Sequence, residues 1–384
     1  MSKIKEAFCQ TDKITVILCA LLSVIGSLIV TSATYKNATI GPLSRDSIVM
    51  VAASLAGLIL ALLISFIDYD IILKLWPVIG GLCLFAMLLL FPFGVAPSAR
   101  ESARSWLKIG PLFFQPSEIV KIGFIITFAF HLNKVKRDIS GFRNVALLCL
   151  HAAIPILLVV VTGDMGSALI FAMMFVGMMF TAGLSAWYFP AGVLMIAAAS
   201  PIIWLKVFDD IQRDRILALI HPEDYPAEIY QQQQAANAFG QGGFFGKGLF
   251  SGPFTQSDSL PESQNDMVFA AIGEEMGYVG AVILLLLFVF LAVRIIRNGK
   301  RAQNFSAYMI CMGVMFMITS QVIINIGMCT GLLPVIGITL PFVSAGGSSV
   351  ICMYISIGLV LSVYRSGCGI GYDSDYRYSR ISRK

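Results

Sequence analysis

The sequence predicts an all-α polytopic membrane protein of about ten transmembrane helices, with both termini in the cytoplasm and one large outer loop. Three observations support this fold class. Of the 384 residues, 57% are hydrophobic and only 13% are charged, whereas soluble domains are about 45–50% apolar and about 25% charged. The apolar residues occur in runs long enough to cross the hydrocarbon core, which requires about 20 helical residues. Lys and Arg are distributed unevenly among the connecting loops.

This composition excludes an ordinary soluble enzyme, a disordered chain and a nucleic-acid binder. The formal net charge of +5 is typical of basic cytoplasmic loops and does not indicate an acidic partner. The eight Cys residues are scattered and form no CxxC pair, and the three His residues form no HExxH motif. The sequence therefore predicts neither a disulfide framework nor a metal site built from Cys or His ligands.

Ten apolar runs are the candidate spans. They cover residues 14–35, 47–67, 75–95, 116–132, 145–162, 166–183, 187–207, 278–296, 306–328 and 348–364. The first run is too long for a signal peptide and is interpreted as a retained span. An N-terminus inside the cell gives about twice as many Lys and Arg residues in inner as in outer segments. We therefore expect a single membrane domain over residues 1–384, with a cytoplasmic tail at 365–384.

The long segment 208–265 lies between spans seven and eight, on the outer side. Loops of this length are usually functional or disordered. Its many Phe and Tyr residues argue against disorder. We expect short amphipathic pieces that rest on the outer face of the bundle.

Ionisable residues inside apolar spans indicate function, because each costs about 2.5–3.5 kcal/mol to insert. Glu118 and Lys121 lie three positions apart, on one face of a helix for which Pro116 suits the first turn, so they can pair. The pair either only fixes helix packing or forms a polar wall of a substrate cavity. Asp164, at the outer end of span five, either caps the next helix, lines a polar cleft, or does both.

The richest polar cluster is the run LPESQNDMVF at residues 260–269, followed by GEEMG at 273–277. One helix from Asp266 to Ile296 would contain 31 residues, more than a bilayer requires. The sequence therefore predicts a short entering helix that breaks near Gly273 or Gly277, beside a water-filled cavity. We expect Asp266 at the mouth of that cavity as a partly desolvated general base; an N-cap role is the alternative.

Two glycine-rich segments complete the set of motifs. Residues 240–248 are not a phosphate-binding Walker loop, because Lys247 is not followed by Ser or Thr. Their backbone amides and Lys247 either cradle a phosphate or belong to a merely flexible loop. Residues 337–349 contain Pro341 and paired glycines, which predict a compact turn before span ten.

Together these motifs resemble the SEDS family (shape, elongation, division, sporulation), which includes RodA, FtsW and SpoVE. The resemblance covers nearly the whole chain and rests on residues 103–121, 163–168, 230–248, 260–280 and 324–349. It implies ten membrane helices with both termini inside, in a bacterial cell membrane. It also implies peptidoglycan glycosyltransferase activity on lipid II at the extracytoplasmic side, with a class B penicillin-binding protein as partner, for elongation, division or sporulation.

The resemblance also assigns roles to residues. The essential acid falls on Asp266, and the polar cavity falls on Glu118, Lys121 and Asp164. Arg104 and Arg215 resemble basic positions near the outer face. The chain departs from the family pattern at Asn265, where Thr is usual, and at Ala345, where Tyr is usual. Neither departure removes the acid; both bear on partner choice, rate and subfamily.

The implied reaction is a single inverting displacement. The acceptor GlcNAc 4-hydroxyl attacks C1 of the donor MurNAc while Asp266 accepts its proton. The leaving diphosphate requires positive charge, for which the candidates are Arg215, Arg104, Lys121 and Lys247. A divalent cation stays open as a cofactor, although the sequence shows no dedicated cage of ligands.

Two alternatives from other functional classes stay open at this stage. A transporter or flippase of the lipid-linked precursor would also use intramembrane charges such as Glu118 and Lys121. A scaffold that only recruits a transpeptidase would tolerate charge-neutral changes at these residues and at Asp266.

Overall fold

The computed structural model of the protein describes residues 11–37, 43–96, 104–110, 112–257 and 259–368. The part of the expected cytoplasmic tail beyond residue 368 lies outside these ranges. The first seven helices are α1 (Lys13–Ala33), α2 (Arg45–Ile64), α3 (Tyr69–Lys74), α4 (Trp76–Leu88), α5 (Leu90–Phe93), α6 (Pro116–Val135) and α7 (Phe142–Val161). The others are α8 (Met165–Thr181), α9 (Tyr188–Ile202), α10 (Asp210–Ile220), α11 (Pro226–Gly242), α12 (Pro253–Gln256), α13 (Val268–Lys300), α14 (Phe305–Cys329) and α15 (Gly347–Cys368). A 3₁₀ turn (Tyr35–Asn37) follows α1, and a π-helical turn (Ile203–Val207) extends α9.

The predicted helical, multi-pass architecture is confirmed. Eight helical segments among the described residues are long and apolar enough to cross a membrane. The other two predicted spans are also helices: α6, which carries Glu118, Lys121 and Lys134, and α8, with 17 residues. The outer loop contains α10, α11 and α12, as the sequence predicts.

A small antiparallel sheet between α5 and α6 was not predicted. It consists of β1 (Gly94–Val95), β2 (Trp106–Ile109) and β3 (Leu112–Phe114), in the order β1-β2-β3. Its strands are two to four residues long, too short for an alternating pattern to be recognised in the sequence. The sheet leads the chain into the N-terminus of α6.

The centre of the bundle is formed by α14 and α15. In these helices 78% and 72% of the apolar window is buried, against 11% for the span built from α4 and α5 and none for α9 with its π-helical extension. α14 packs against α13, α8 and α6, while α15 packs against α2. Polar side chains on α6 and α14 are therefore enclosed by protein, whereas α4 and α9 face the lipid.

The N-terminal end of α1 and the C-terminal part of α13 are joined by an ion pair in which Asp12 is buried. The Arg294 guanidinium donates to both carboxylate oxygens of Asp12, at 2.7 Å for the Nη2–Oδ1 bond, and Asn298 and Thr15 donate to Oδ2. Burial opposes the charge of Asp12, but these hydrogen bonds outweigh it and hold the pKa of the carboxyl below its usual value. The pair ties the first span to the long helix that follows the outer loop.

The predicted helix break is confirmed at Gly277. This residue has φ 69° and ψ −170° within α13, a conformation that is essentially restricted to glycine. Residues 243–248 of the outer loop satisfy the backbone groups around the break. The bonds run from Lys247 N to Glu274 O, from Gly248 N to Glu275 O, from Tyr278 N to Gly243 O and from Val279 N to Phe244 O, at 3.0–3.1 Å. The break, which we call the joint, therefore connects a short entering helix to the full span and is stabilised by the outer loop.

We expect Gly277→Ala to destabilise the protein well beyond the backbone strain alone. A Cβ there would lie 2.6 Å from the carbonyl oxygen of Phe244 and would also meet the backbone nitrogen of Gly246. Gly183→Ala is the matched control, because Gly183 also has a positive φ, but a Cβ added there would have no neighbouring atom within 4 Å. Strain of this kind costs about 1–3 kcal/mol.

Thermal unfolding of the detergent-purified variants measures the difference. Gly277→Ala should lower the midpoint clearly more than Gly183→Ala does. Equal losses would show that the loop does not pack against the break as described.

Candidate functional site

A polar cavity of about 560 Å³ opens at the end of the bundle that the sequence predicts to face outward. It is enclosed by the N-terminal ends of α6 and α8, by α10 and α11, by α14 and α15, and by residues 334–344, which we call the wall segment. Four carboxylates and one guanidinium line it, belonging to Glu118, Asp164, Asp209, Glu228 and Arg215. Such a concentration of polar groups at a bundle interface is typical of a binding site.

Glu118 and Lys121 form the ion pair that their spacing predicts. Lys121 Nζ donates to Glu118 Oε1 at 2.7 Å, and the lysine side chain is fully buried. Glu118 is 5% exposed and lines the cavity. The pair neutralises charge inside the bundle, and Glu118 also lines the cavity, so the interpretation in which the pair only fixes helix packing is too narrow.

Asp164 likewise has both roles considered for it. It caps α8, because its Oδ1 accepts from the backbone N–H of Ser167 at 2.9 Å. Its Oδ2 accepts from Ser167 Oγ and Gln115 Nε2, each at 2.7 Å, and from Ser117 Oγ at 3.3 Å. The carboxylate lines the cavity and joins the start of α6 to the start of α8. Its acceptor capacity is largely taken up by the protein.

A close approach between α8 and the wall segment shapes one side of the cavity. Gly166 makes it possible, since a Cβ there would lie 2.5 Å from Ile338 Cδ1 and 3.0 Å from the carbonyl oxygen of Ile336. Both isoleucines line the cavity.

Arg215 is the only Lys or Arg that lines the cavity among the described residues. Its Nη1 donates to the carbonyl oxygen of Val335 at 3.1 Å, and its Nε lies 3.5 Å from Glu228 Oε2. The start of α10 is fixed by a capping box between Asp209 and Gln212. The guanidinium is therefore held against the wall segment and partly exposed to the cavity.

Arg104 and Lys247 are exposed and lie outside the residues that line this cavity. The expected phosphate cradle around Lys247 is wrong in one respect. The backbone N–H groups of Lys247 and Gly248 donate to the carbonyl oxygens of Glu274 and Glu275, so they are not directed at a ligand. The glycines of this loop allow its backbone to pack closely against the joint at Gly277.

Asp266 does not lie at the cavity mouth, so that part of the prediction is wrong. It is 4% exposed and is not among the lining residues. The turn that carries it is folded beneath the wall segment, where Ala345 N donates to Gln264 O at 2.8 Å and Ser344 Oγ donates to Asn265 O at 2.6 Å. The N-cap alternative is also wrong, because α13 begins at Val268 with Met267 as its N-cap.

The backbone of Asp266 is nevertheless joined to the wall of the cavity through one side chain. The Asn325 side chain donates to the carbonyl oxygen of Asp266 at 2.8 Å and to that of Ile338 at 2.7 Å. Ile338 lines the cavity. The wall segment therefore lies between the backbone of Asp266 and the cavity.

Sequence reasoning missed two amide side chains of α14. Gln321 lines the cavity and is 1% exposed, and Asn325 is fully buried. They lie four residues apart in an otherwise apolar span, on one face of the helix. Buried amides at that spacing were the available signal, because polar side chains in a span usually face other helices or a site.

A divalent cation fits these residues poorly. Among the described residues there is no group of three or more His, Cys, Asp or Glu side chains that could hold a metal ion. Each carboxylate that lines the cavity already binds a protein donor: Lys121, the cap of α8, the cap of α10 or Arg215. The described residues therefore offer no ready set of protein oxygen ligands for Mg²⁺ or Ca²⁺.

Known proteins resemble this chain over nearly its full length. The model of a family of cell cycle proteins, named for FtsW, RodA and SpoVE, matches residues 12–367. The chain is 33% identical over 351 residues to the peptidoglycan glycosyltransferase MrdB of Escherichia coli strain K12, covering 91% of each chain.

Two solved structures share the fold. A chain from a peptidoglycan synthase complex that coordinates polymerization and crosslinking matches with a TM-score of 0.81 and 28% identity, over 94% of this chain and 99% of that one. The rod shape determining protein RodA of Thermus thermophilus matches with a TM-score of 0.69 and 26% identity, over 93% and 97% of the two chains.

The buried pair generates a stability prediction. We expect Glu118→Gln to cost about 3–5 kcal/mol, because it leaves the Lys121 ammonium buried without a counter-charge. Asp210→Asn is the control, since the Asp210 side chain is 92% exposed in its pair with Arg213, and such surface pairs contribute about 0–1 kcal/mol. Adding Lys121→Met to Glu118→Gln should recover most of the loss.

Equilibrium unfolding in detergent compares the three variants. A Glu118→Gln loss no larger than that of Asp210→Asn, or a double variant less stable than the single one, would contradict the assigned pairing.

Proposed function

Because the chain belongs to the family of cell cycle proteins named for FtsW, RodA and SpoVE, we propose that it is a peptidoglycan glycosyltransferase that polymerises lipid II. The observation that carries the proposal is the polar cavity that Arg215 lines, together with the bonds of Asn325, which join the segment that carries Asp266 to the wall of that cavity. The reaction takes place on the extracytoplasmic side, where the growing glycan is released to the cell wall.

The chemistry is a displacement at C1 of the donor sugar. The acceptor 4-hydroxyl oxygen forms the new bond to C1, and the bond from C1 to the phosphate oxygen breaks with its electron pair leaving on the diphosphate. The hydroxyl proton passes to the Asp266 carboxylate. A positioned general base contributes about 10²–10⁴-fold to such a step.

This role for Asp266 requires the wall segment to move. A base acts on a proton within about 2.6–3.2 Å between heavy atoms, and Asp266 is buried behind Ile338. The wall segment has no helix or strand over residues 334–344, and Gly337 and Phe342 have positive φ angles. We propose that substrate binding displaces this segment so that the acceptor hydroxyl reaches the carboxylate.

The leaving diphosphate is stabilised by Arg215. Its guanidinium faces the same cavity, and a fixed cation favours the charge that develops on the leaving oxygen. Because Arg215 is held by Val335 and Glu228, little reorganisation is required when that charge appears.

The polyprenyl tail requires an apolar path beside the cavity. A groove of about 540 Å³ lies between α4, α6 and α7 and is lined by apolar residues such as Met87, Phe124 and Leu158. Because α6 contributes Glu118 to the cavity and Val120 to the groove, a lipid in the groove places its headgroup close to the cavity. A class B penicillin-binding protein is the proposed partner, since one solved relative belongs to a complex that couples polymerization to crosslinking.

We expect Asp266→Asn to reduce lipid II polymerisation by about 100-fold or more, because the amide preserves the shape but cannot accept the proton. Asp224→Asn makes the same change at an exposed position of the outer loop that does not line the cavity, and it should keep wild-type activity. Polymer length and rate are read from gels of labelled product. A wild-type rate for Asp266→Asn would remove Asp266 from the mechanism.

We expect Arg215→Met to lower the polymerisation rate by about 10- to 1,000-fold, since removing a donor to a developing oxyanion has effects of that order. Arg213→Met is the matched control, because Arg213 lies on the same helix, pairs with Asp210 and does not line the cavity. Initial rates at saturating lipid II separate the two. If both variants lose the same activity, Arg215 acts only through the packing of α10.

A further inference from the structure

Two buried polar atoms of the cavity have no hydrogen-bond partner among the described residues. They are Oε2 of Glu118 and Nε2 of Gln321. Glu118 is 5% exposed and Gln321 is 1% exposed, and both residues line the cavity. From this pair we propose that Glu118 and Gln321 form a subsite that binds one neutral hydrogen-bonding group of the substrate sugar. The proposal rests on the proposed function and adds where the sugar lies.

Unpaired atoms of this kind are costly in a folded protein. A buried donor or acceptor without a partner has lost the hydrogen bond that water makes to it in the unfolded chain, so two such atoms in one site are explained by a partner from outside the chain. Other polar groups of the cavity are satisfied from within. Asp164 accepts four hydrogen bonds, and Arg215 donates to Val335 and pairs with Glu228.

The chemistry of the two atoms selects the group that they bind. Oε2 of Glu118 accepts, and Nε2 of Gln321 donates, so together they complement a group that donates one hydrogen bond and accepts one. A sugar hydroxyl and the N–H and C=O of an acetamido group both have this property. The substituents of an amino sugar are therefore the groups that fit.

The charge of the subsite disfavours binding of the diphosphate end of the substrate there. The ammonium of Lys121 already compensates the Glu118 carboxylate, so the subsite has no spare positive charge for a phosphate, whose oxygens the carboxylate would repel. The amide N–H of Gln321 likewise disfavours a cation. The diphosphate belongs near Arg215, on α10, and the sugar extends towards α6 and α14.

Binding measurements on Gln321→Met test the subsite directly. Methionine keeps the length of the side chain and its neutrality but removes the donor. Gln233→Met makes the same change on an exposed position of α11 and is the matched control. The parent protein and both variants carry Asp266→Asn to prevent turnover, so that affinity is measured even if the chain were found to make no polymer. The probes are lipid II and the sugar-free polyprenyl diphosphate.

We expect Gln321→Met to weaken lipid II binding about tenfold and to leave the affinity for polyprenyl diphosphate unchanged, while Gln233→Met alters neither. Because it removes an unpaired buried amide, Gln321→Met should also leave the ligand-free protein at least as stable as its parent. A lipid II analogue with hydroxyl in place of one acetamido group then identifies the bound substituent: if that acetamido occupies the subsite, the parent loses affinity for the analogue and Gln321→Met shows no further loss.

Three results would overturn the proposal. Unchanged lipid II affinity in Gln321→Met means that the sugar does not use this amide. An equal loss for both probes means that the effect is not on the sugar. A loss of affinity that accompanies a drop in thermal stability, and that Gln321→Leu repeats, means that Gln321 only supports the packing of α14.

Discussion

The hydrogen bonds of Asn325 determine where the proposed base lies relative to the cavity. This fully buried side chain on α14 donates to the carbonyl oxygens of Asp266 and Ile338, and so it joins the turn before α13 to the wall segment. The two acceptors lie 59 and 13 residues away in the sequence. A buried carbonyl that loses its donor costs about 1–3 kcal/mol. The two segments therefore either move together or separate at that energetic cost. Access to Asp266 therefore depends on this amide together with the bonds from Ser344 Oγ to Asn265 O and from Ala345 N to Gln264 O.

The rest of the site follows the rule that polar groups inside a bundle are paired by the protein. Lys121 is compensated by Glu118, and Asp164 accepts from Gln115, Ser117 and Ser167. The same rule explains the joint at Gly277, where the outer loop supplies the backbone partners that the interrupted helix lacks. Buried atoms without a partner also occur elsewhere in the bundle, such as Glu275 Oε2 and Asn298 Oδ1; those of Glu118 and Gln321 differ because both residues line the cavity.

The sequence predicted the features that depend on local patterns. Apolar runs identified the spans, the i, i+3 spacing identified the Glu118–Lys121 pair, the GDMG segment identified the cap at Asp164, and the excess length of span eight identified the break at Gly277. The features that it missed depend on contacts between distant segments. The turn that carries Asp266 is covered through contacts such as the one between Asn265 and Ser344, 79 residues apart in the sequence. The backbone N–H groups of Lys247 and Gly248 are bonded to residues beside the helix break rather than to a ligand. No periodicity in the sequence encodes such contacts.

Synthesis of polymer by the purified wild-type chain is the most direct test of the central claim. In detergent micelles there are no two sides of a membrane, so a flippase or a scaffold has nothing to produce, whereas a glycosyltransferase joins lipid II. We predict glycan polymer from labelled lipid II, with a rate that rises when the cognate class B penicillin-binding protein is added in a form unable to crosslink. Absence of polymer both with and without that partner, from protein that is folded and binds lipid II, would contradict the account and favour transport of the precursor.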